Sequence, residues 1–135
     1  MRPILLDTNA YTAFKLGDKD IIEILQQTEE IGISPIVLGE LLGGFEYGSK
    51  PQLNCNELQK FLESSRIRMY AITRDTSNYY SHIYANLKRK GHPIPTNDLW
   101  IAAQALENGC ILCSYDKHFS AIDTLITIQS VNDLL

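Results

Sequence analysis

The sequence predicts an α/β fold, in which helices cover both faces of a mostly parallel β-sheet. Short apolar runs without polar alternation, such as Ile4–Leu6, are typical of strands that are buried on both faces. Longer stretches with helical periodicity separate these runs along the chain. Strands separated by helices favour parallel pairing, because each helix carries the chain back to the starting edge of the sheet.

Five strands and six helices are predicted. The strands are Ile4–Leu6, Ile31–Ser34, Ile67–Ile72, Cys110–Ser114 and Leu125–Gln129. The helices are Asn9–Lys15, Asp20–Thr28, Pro35–Phe45, Glu57–Ser64, Thr76–Lys90 and Asp98–Glu107. Gly48 to Asn56 is predicted as a surface loop, and Gly91–Thr96, which holds two prolines, as an extended connector.

Capping signals set several helix boundaries. Ser34 and Pro35 form an N-cap followed by the proline that is favoured at the first helical position. Either Thr96 or Asn97 is expected to cap the sixth helix, and Gly109 is expected to end it. On the fifth helix, an apolar stripe at helical spacing favours core packing over nucleic-acid binding; it consists of Tyr80, Ile83, Tyr84 and Leu87.

Size and composition narrow the class of protein. A chain of 135 residues with 44% hydrophobic residues fits one domain, predicted here as 1–135. The net charge of −4 argues against a protein that binds nucleic acid by phosphate neutralisation alone. It does not argue against an enzyme that recruits a cation for that purpose.

Targeting signals and cysteines indicate a cytoplasmic protein. No apolar run approaches the length of a membrane span, and the first residues lack a signal-peptide pattern. Three cysteines suit free thiols in a reducing compartment. Cys110 and Cys113 have the C-x-x-C spacing, but residues three apart in a strand point to opposite faces and do not easily share a metal.

Four acidic residues are candidates for a shared site. Asp7 and Asp116 each follow an apolar strand, while Glu40 and Asp98 lie early in two apolar helices. The carboxyl ends of parallel strands meet at one edge of the sheet, where the following helices also begin. Taken singly, Asp98 and Asp116 are best explained as a helix-dipole residue and a turn residue, whereas for Asp7 and Glu40 a structural and a functional role are equally favoured. Together they would repel one another, which either raised pKa values or a hard divalent cation would relieve.

Other catalytic chemistries lack their sequence motifs. The chain contains neither G-x-x-x-x-G-K-[ST] nor G-x-G-x-x-G, so it offers no recognised cradle for nucleotide phosphates. It also lacks the G-x-S-x-G motif of a serine nucleophile. His82 is expected to be structural or solvated, and His118, beside Lys117, is a candidate substrate contact.

Four segments of the chain, in the same order, resemble the sequence blocks of PIN-domain proteins, and in particular VapC-type toxins of bacterial toxin–antitoxin pairs. They are "LLDTNAY", "SPIVLGELLGG", "GHPIPTNDLWIAAQAL" and "CILCSYDKHFSAID". The resemblance implies a three-layer α/β/α sandwich with a five-stranded parallel sheet. It also implies a magnesium- or manganese-dependent ribonuclease that forms homodimers and is bound by a cognate antitoxin across its active-site groove.

The resemblance also implies roles for individual residues. Its acids correspond to Asp7, Glu40, Asp98 and Asp116. Polar groups that support the acids or their waters correspond to Thr8, Asn9 and Ser114. Many relatives have threonine in place of Ser114, and the hydroxyl is retained here.

We expect Asp7 and Asp98, followed by Asp116, to bind the Mg²⁺ or Mn²⁺ ion directly. Glu40 would bind it through water or act on the attacking water. A basic run is a candidate RNA groove, although a solvated helix end favoured by the helix dipole explains it equally well; it consists of Lys88, Arg89, Lys90 and His92. The alternatives are a non-catalytic PIN-like module that binds RNA or a protein, and a metal-dependent hydrolase acting on DNA or a small phosphoester.

Overall fold

The computed structural model describes residues 2–134, one residue short of the predicted domain range at each end. Within this part, the strands are β1 Ile4–Leu6, β2 Ile31–Ile33, β3 Ile67–Met69, β4 Ile111–Cys113 and β5 Thr127–Ile128. The α-helices are α1 Thr8–Lys15, α2 Lys19–Gln26, α3 Pro35–Tyr47, α4 Pro51–Leu62, α5 Arg74–Lys90 and α6 Thr96–Glu107. Two 3-10 helices cover Lys117–Ala121 and Val131–Leu134.

The five strands form one parallel sheet in the order β3-β2-β1-β4-β5. All four pairings are parallel, and β1 lies in the centre with Leu5 opposite both Gly32 and Leu112. The chain moves outward from β1 in one direction to β2 and β3, and then continues on the other side of β1 with β4. The crevice between β1 and β4 at their carboxyl ends is therefore the place where this type of sheet binds ligands.

The core consists of the central strands and the helices packed on them. Every residue of β1, β2 and β4 is buried, so helices cover both faces of the sheet. Helix α6 buries a continuous run from Leu99 to Ala105 apart from the partly exposed Trp100. This confirms the predicted α/β sandwich, and it explains why these segments lack polar alternation in the sequence.

Most predicted boundaries hold to within a few residues. Ser34 caps α3, since its Oγ accepts a hydrogen bond from the Ile36 amide at 3.0 Å, and Pro35 follows in the first turn. Gly109 follows α6 with a φ of 65°, a left-handed conformation that glycine adopts without strain.

Two boundary predictions are wrong. The predicted loop Gly48 to Asn56 instead contains the first half of α4, which begins at Pro51 and buries only Leu58. With a single buried residue, α4 leaves almost no apolar periodicity for the sequence to display. Helix α6 is capped by Pro95, so Thr96 and Asn97 lie inside its first turn.

No helix within residues 2–134 is both long enough and apolar enough to cross a membrane. Cys55, Cys110 and Cys113 are free thiols. Burial raises the pKa of Cys113 to about 12, so its thiol stays protonated and packs in β4 as an apolar side chain.

Gly32 in β2 allows an aromatic ring to pack directly on the sheet. A Cβ atom at this position would lie 2.1 Å from Cε2 of Tyr70, far inside van der Waals contact. The Tyr70 ring is not free to move away, because its hydroxyl donates to Glu30 and its backbone oxygen accepts from Gln104.

We predict that Gly32→Ala lowers the free energy of unfolding by about 1–3 kcal/mol, since overpacking of this size forces backbone or ring displacement. Gly43→Ala is the matched control, because a Cβ there meets nothing within 4 Å. In the interior of α3 this control should raise stability by about 0.5–1 kcal/mol. Urea unfolding of both variants measures the difference, and equal effects would show that Tyr70 does not constrain β2.

Candidate active site

Asp7 begins the site at the end of the central strand. Its backbone amide donates to Cys113 O at 3.0 Å, which continues the pairing of β1 with β4 by one residue. Its side chain caps α1, because Oδ1 accepts from the Thr8 amide at 2.8 Å. The position follows from the change from strand to helix at Asp7, and the residue is only 4% exposed.

The Ser114 hydroxyl connects two of the acids. Its Oγ donates to Asp7 Oδ2 at 2.6 Å and accepts from the backbone amide of Asp116 at 3.0 Å. Ser114 directly follows β4 and is fully buried. One hydroxyl therefore fixes the ends of the two central strands relative to each other, together with the acid that follows each of them.

Asp98, Asp116 and His118 form the tightest group in the site. His118 Nδ1 lies 2.9 Å from Asp98 Oδ2 and 3.1 Å from Asp116 Oδ1. One ligand atom from each of the three residues lies within 4.8 Å of the other two. Asp98 reaches the group from the first turn of α6, and Asp116 and His118 reach it from the segment after β4.

His118 was predicted from the sequence as a substrate contact. Its contacts with Asp98 and Asp116 were not predicted. The local cause is a 3-10 turn, in which Asp116 Oδ1 accepts from the His118 backbone amide at 2.9 Å. The Asp-x-His spacing is the sequence signal for this contact, because an aspartate that caps the residue two positions ahead brings both side chains together.

Glu40 enters from α3 and is held by two side chains at the rim of the site. Thr8 Oγ1 donates to Glu40 Oε1 at 2.6 Å, and Asn97 Nδ2 donates to Oε2 at 3.4 Å. Asn97 has this orientation because it lies inside α6 rather than capping it. Glu40 remains exposed to solvent, in contrast to Asp7 and Asp98.

Asn9 supports the site through the backbone. Its Oδ1 accepts from the Tyr115 amide at 3.0 Å and so holds the segment between Ser114 and Asp116 against α1. Tyr115 donates its hydroxyl to Asp18 at 2.9 Å, which ties the same segment to the start of α2. All three predicted supporting residues, Thr8, Asn9 and Ser114, therefore contact either an acid or the segment that carries one.

Burial and mutual repulsion govern the electrostatics of the acids. Burial raises the pKa of Asp7 to about 6, Asp98 and Glu40 add repulsion, and the hydrogen bonds from Ser114 and Thr8 only partly offset this. Burial also raises the pKa of Asp98, with further repulsion from Asp116 and Glu40 and an opposing effect of His118. The hydrogen bond to Asp98 raises the pKa of His118.

The predicted basic groove is only partly free to bind a substrate. Lys90 Nζ lies 2.7 Å from Asp123 Oδ2, whereas Lys88 Nζ lies over the ring of Tyr84. Within residues 2–134, neither lysine nor Arg89 forms an ion pair with the four acids. The prediction of core packing is confirmed for Ile83 and Leu87, while Tyr84 is 46% exposed.

The donor set of the site suits a hard divalent cation. Carboxylate oxygens are the ligands that Mg²⁺ and Mn²⁺ prefer, and four carboxylates converge here from four separate segments of the chain. The raised pKa of the buried Asp7 indicates that its negative charge lacks sufficient compensation from the protein alone.

The sequence pattern of the PIN domain family matches residues 4–125. The chain belongs to the PIN domain family. The match begins at β1 and ends just before β5, so it includes all four acids and the strands that position them.

Individual relatives cover nearly the whole PIN domain. Ribonuclease VapC2 of Rickettsia felis is 35% identical over 127 residues, which span 90% of this chain and 93% of the relative. The solved structure of VapBC2 from Rickettsia felis bound to a promoter DNA fragment has a TM-score of 0.81 at 30% identity, covering 93% of this chain and 97% of that one. DNA-bound VapBC from Salmonella typhimurium has a TM-score of 0.83 at 27% identity, covering 95% and 98%.

The pKa of Asp7 predicts how the stability of the metal-free PIN domain depends on pH. The folded pKa of about 6 exceeds the ordinary value of 3.8, so the folded state retains a proton that the unfolded state has lost. Protonated Asp7 makes its full contribution to the free energy of unfolding below about pH 4. This contribution falls as the pH rises through about 6 and is lost above that pH. The full loss corresponds to at most about 3 kcal/mol.

We therefore predict that Asp7→Asn stabilises the metal-free protein at pH 8, and that this gain disappears toward pH 4. The amide keeps an acceptor oxygen for the Thr8 amide and carries no charge. Thermal unfolding in the presence of a chelator across this pH range measures the effect. A gain that does not change with pH would show that it does not come from the buried charge of Asp7, and a lower melting temperature at pH 8 would show that this charge is structural.

Proposed function

We propose that this PIN domain is a divalent-metal-dependent endoribonuclease and the toxin of a toxin–antitoxin pair. The observation that carries the proposal is the convergence of Asp7, Glu40, Asp98 and Asp116 at one edge of the sheet. Burial, with mutual repulsion as a smaller contribution, raises the pKa values of Asp7 and Asp98. The relative named ribonuclease VapC2 supports RNA as the substrate.

Asp98 and Asp116, which each offer a ligand atom within 4.8 Å of the other, would hold the ion, with Mg²⁺ or Mn²⁺ as the candidates. Asp7 lies outside this close group and would join it as a third ligand. When bound, such an ion lowers the pKa of a coordinated water and stabilises negative charge on a phosphodiester undergoing hydrolysis. Ser114 keeps Asp7 and Asp116 oriented through its hydroxyl. Glu40, held by Thr8 at the exposed rim, would orient the attacking water and accept its proton at the oxygen that faces Asn97.

We predict that Asp98→Asn lowers the rate of RNA cleavage by at least about 100-fold, because it removes a charged ligand from the ion. The metal-free variant should fold as well as the wild type or better, since a buried acid with a raised pKa has been neutralised. Cleavage of a labelled RNA with Mg²⁺ or Mn²⁺, and with EDTA as a control, measures the first effect. Thermal unfolding measures the second.

Asp75→Asn is the matched control, because Asp75 is an exposed acid in the first turn of α5. It should cleave RNA at the wild-type rate. Equal cleavage by wild type and Asp98→Asn would contradict the catalytic assignment and favour a non-catalytic module that binds RNA or a protein. Preferential hydrolysis of a DNA competitor would instead favour the deoxyribonuclease alternative.

A cognate antitoxin is the proposed protein partner, and a homodimer is the proposed assembly. The similar solved structures include VapBC2 of Rickettsia felis and VapBC of Salmonella typhimurium, and the resemblance to VapC-type toxins implies a bound cognate antitoxin. Helices α3 and α4 leave the large apolar side chains of Leu42, Tyr47 and Leu53 exposed, as expected for surfaces that another protein covers. We place its action in the cytoplasm, where the free thiols Cys55, Cys110 and Cys113 would remain reduced.

We predict that Lys88→Gln with Arg89→Gln weakens RNA binding and reduces its salt dependence. Two lost phosphate contacts should lower the slope of log K against log salt by about 1.4. The measurement uses the Asp98→Asn background to prevent cleavage, and Lys60→Gln at the exposed end of α4 as the control. An unchanged slope would show that the basic end of α5 only complements its helix dipole.

A further inference from the structure

His118 contributes a nitrogen atom to a group that otherwise offers only oxygen. Among residues 2–134, the cluster close enough to share one ion consists of Asp98, Asp116 and His118. Carboxylate ligands alone suit Mg²⁺, Ca²⁺ and Mn²⁺ alike, whereas an added imidazole favours a transition-metal ion such as Mn²⁺ over Mg²⁺ and Ca²⁺. The identity of the third ligand therefore bears on which ion the site selects.

The atoms of this group already have the spacing of ligands on one ion. Neighbouring ligands in an octahedral shell at 2.0–2.1 Å from the metal lie roughly 3 Å apart. His118 Nδ1 lies 2.9 Å from Asp98 Oδ2 and 3.1 Å from Asp116 Oδ1. The ligand atoms of Asp98 and Asp116 lie within 4.8 Å of each other, so one ion could bind all three residues.

The backbone around His118 is fixed, while its ring remains accessible. Asp116 accepts from the His118 amide, and the next residue, Phe119, is buried in the core and anchors the 3-10 helix. The His118 side chain is nevertheless 52% exposed, so an ion or its waters can approach Nδ1 from solvent.

We propose that His118 Nδ1 is a direct ligand of the catalytic ion and that it makes the site prefer Mn²⁺ to Mg²⁺. This inference rests on the proposed metal-dependent function and adds a ligand to it. Mg²⁺ gains little from a nitrogen ligand and dehydrates reluctantly, whereas Mn²⁺ accepts imidazole together with carboxylates. This ligand role of His118 replaces the prediction that His118 contacts the substrate.

The test is a spectroscopic measurement of Mn²⁺ bound to the purified protein without RNA. Electron spin echo envelope modulation detects a histidine nitrogen coordinated to Mn²⁺, and titration of the free-ion signal gives the Mn²⁺ affinity. Mg²⁺ affinity follows from competition in the same samples. His118→Gln removes the imidazole but keeps a polar side chain, and His82→Gln, on the exposed face of α5, is the matched control.

We expect nitrogen modulation in the wild type and in His82→Gln, and its loss in His118→Gln. Because loss of even an outer-shell partner weakens metal binding by about 10- to 100-fold, Mn²⁺ affinity should fall at least about tenfold in His118→Gln. Mg²⁺ affinity should change by less than about twofold.

The outcomes separate this inference from the proposed function. Mn²⁺ binding without nitrogen modulation in the wild type would overturn the ligand role of His118 and leave the acidic metal site intact. Equal loss of Mn²⁺ and Mg²⁺ affinity in His118→Gln would overturn the selectivity. Failure of the wild type to bind either ion would contradict the metal-dependent function itself, and with it the inference.

Discussion

The site depends on negative charge that the sheet brings together and then buries. Asp7 continues the central strand into α1 with its carboxylate almost inaccessible to water, and Asp98 and Glu40 face it from other helices. The hydroxyl of Ser114 and the amide of Thr8 stabilise this charge, but the effect of burial on the pKa is larger than both. A proton or a cation must provide the remaining compensation, which links the protonation of Asp7 and ion binding to the stability of the fold.

The domain tolerates the unfavourable burial of these charges because the acids lie only where strands end or in the early part of helices. All residues of β1 and β4 are fully apolar and buried, and the polar residues start at their carboxyl ends. Asp98 in the first turn of α6 also lies in the favourable field of the helix dipole. Unfavourable charge confined to one edge of an otherwise apolar sandwich is typical of a functional site, since it contributes nothing to packing.

The fold was predictable from the sequence because its decisive elements are buried. The strand Ile4–Leu6 was predicted with its observed bounds, and the cap at Ser34 followed from residue type alone. The first half of helix α4 was missed because a single buried residue, Leu58, leaves almost no apolar periodicity. The four acids could be assembled from parallel topology, whereas the contact of His118 with Asp98 and Asp116 depends on a 3-10 turn that apolar periodicity cannot reveal.

Hydrogen bonds hold the acids in place before any ion binds. Ser114 fixes Asp7 and Asp116, and Thr8 fixes Glu40, through hydrogen bonds that exist without an ion. Little side-chain entropy then remains to be lost on binding, so more of the electrostatic attraction is retained as affinity. In small metal-dependent domains the ion supplies the folding energy itself, and removing it unfolds the chain. Here the buried apolar residues of the sheet and helices stabilise the fold, and an ion at the site would relieve a repulsion. Removing the charge of one acid is therefore expected to weaken ion binding and catalysis rather than the fold.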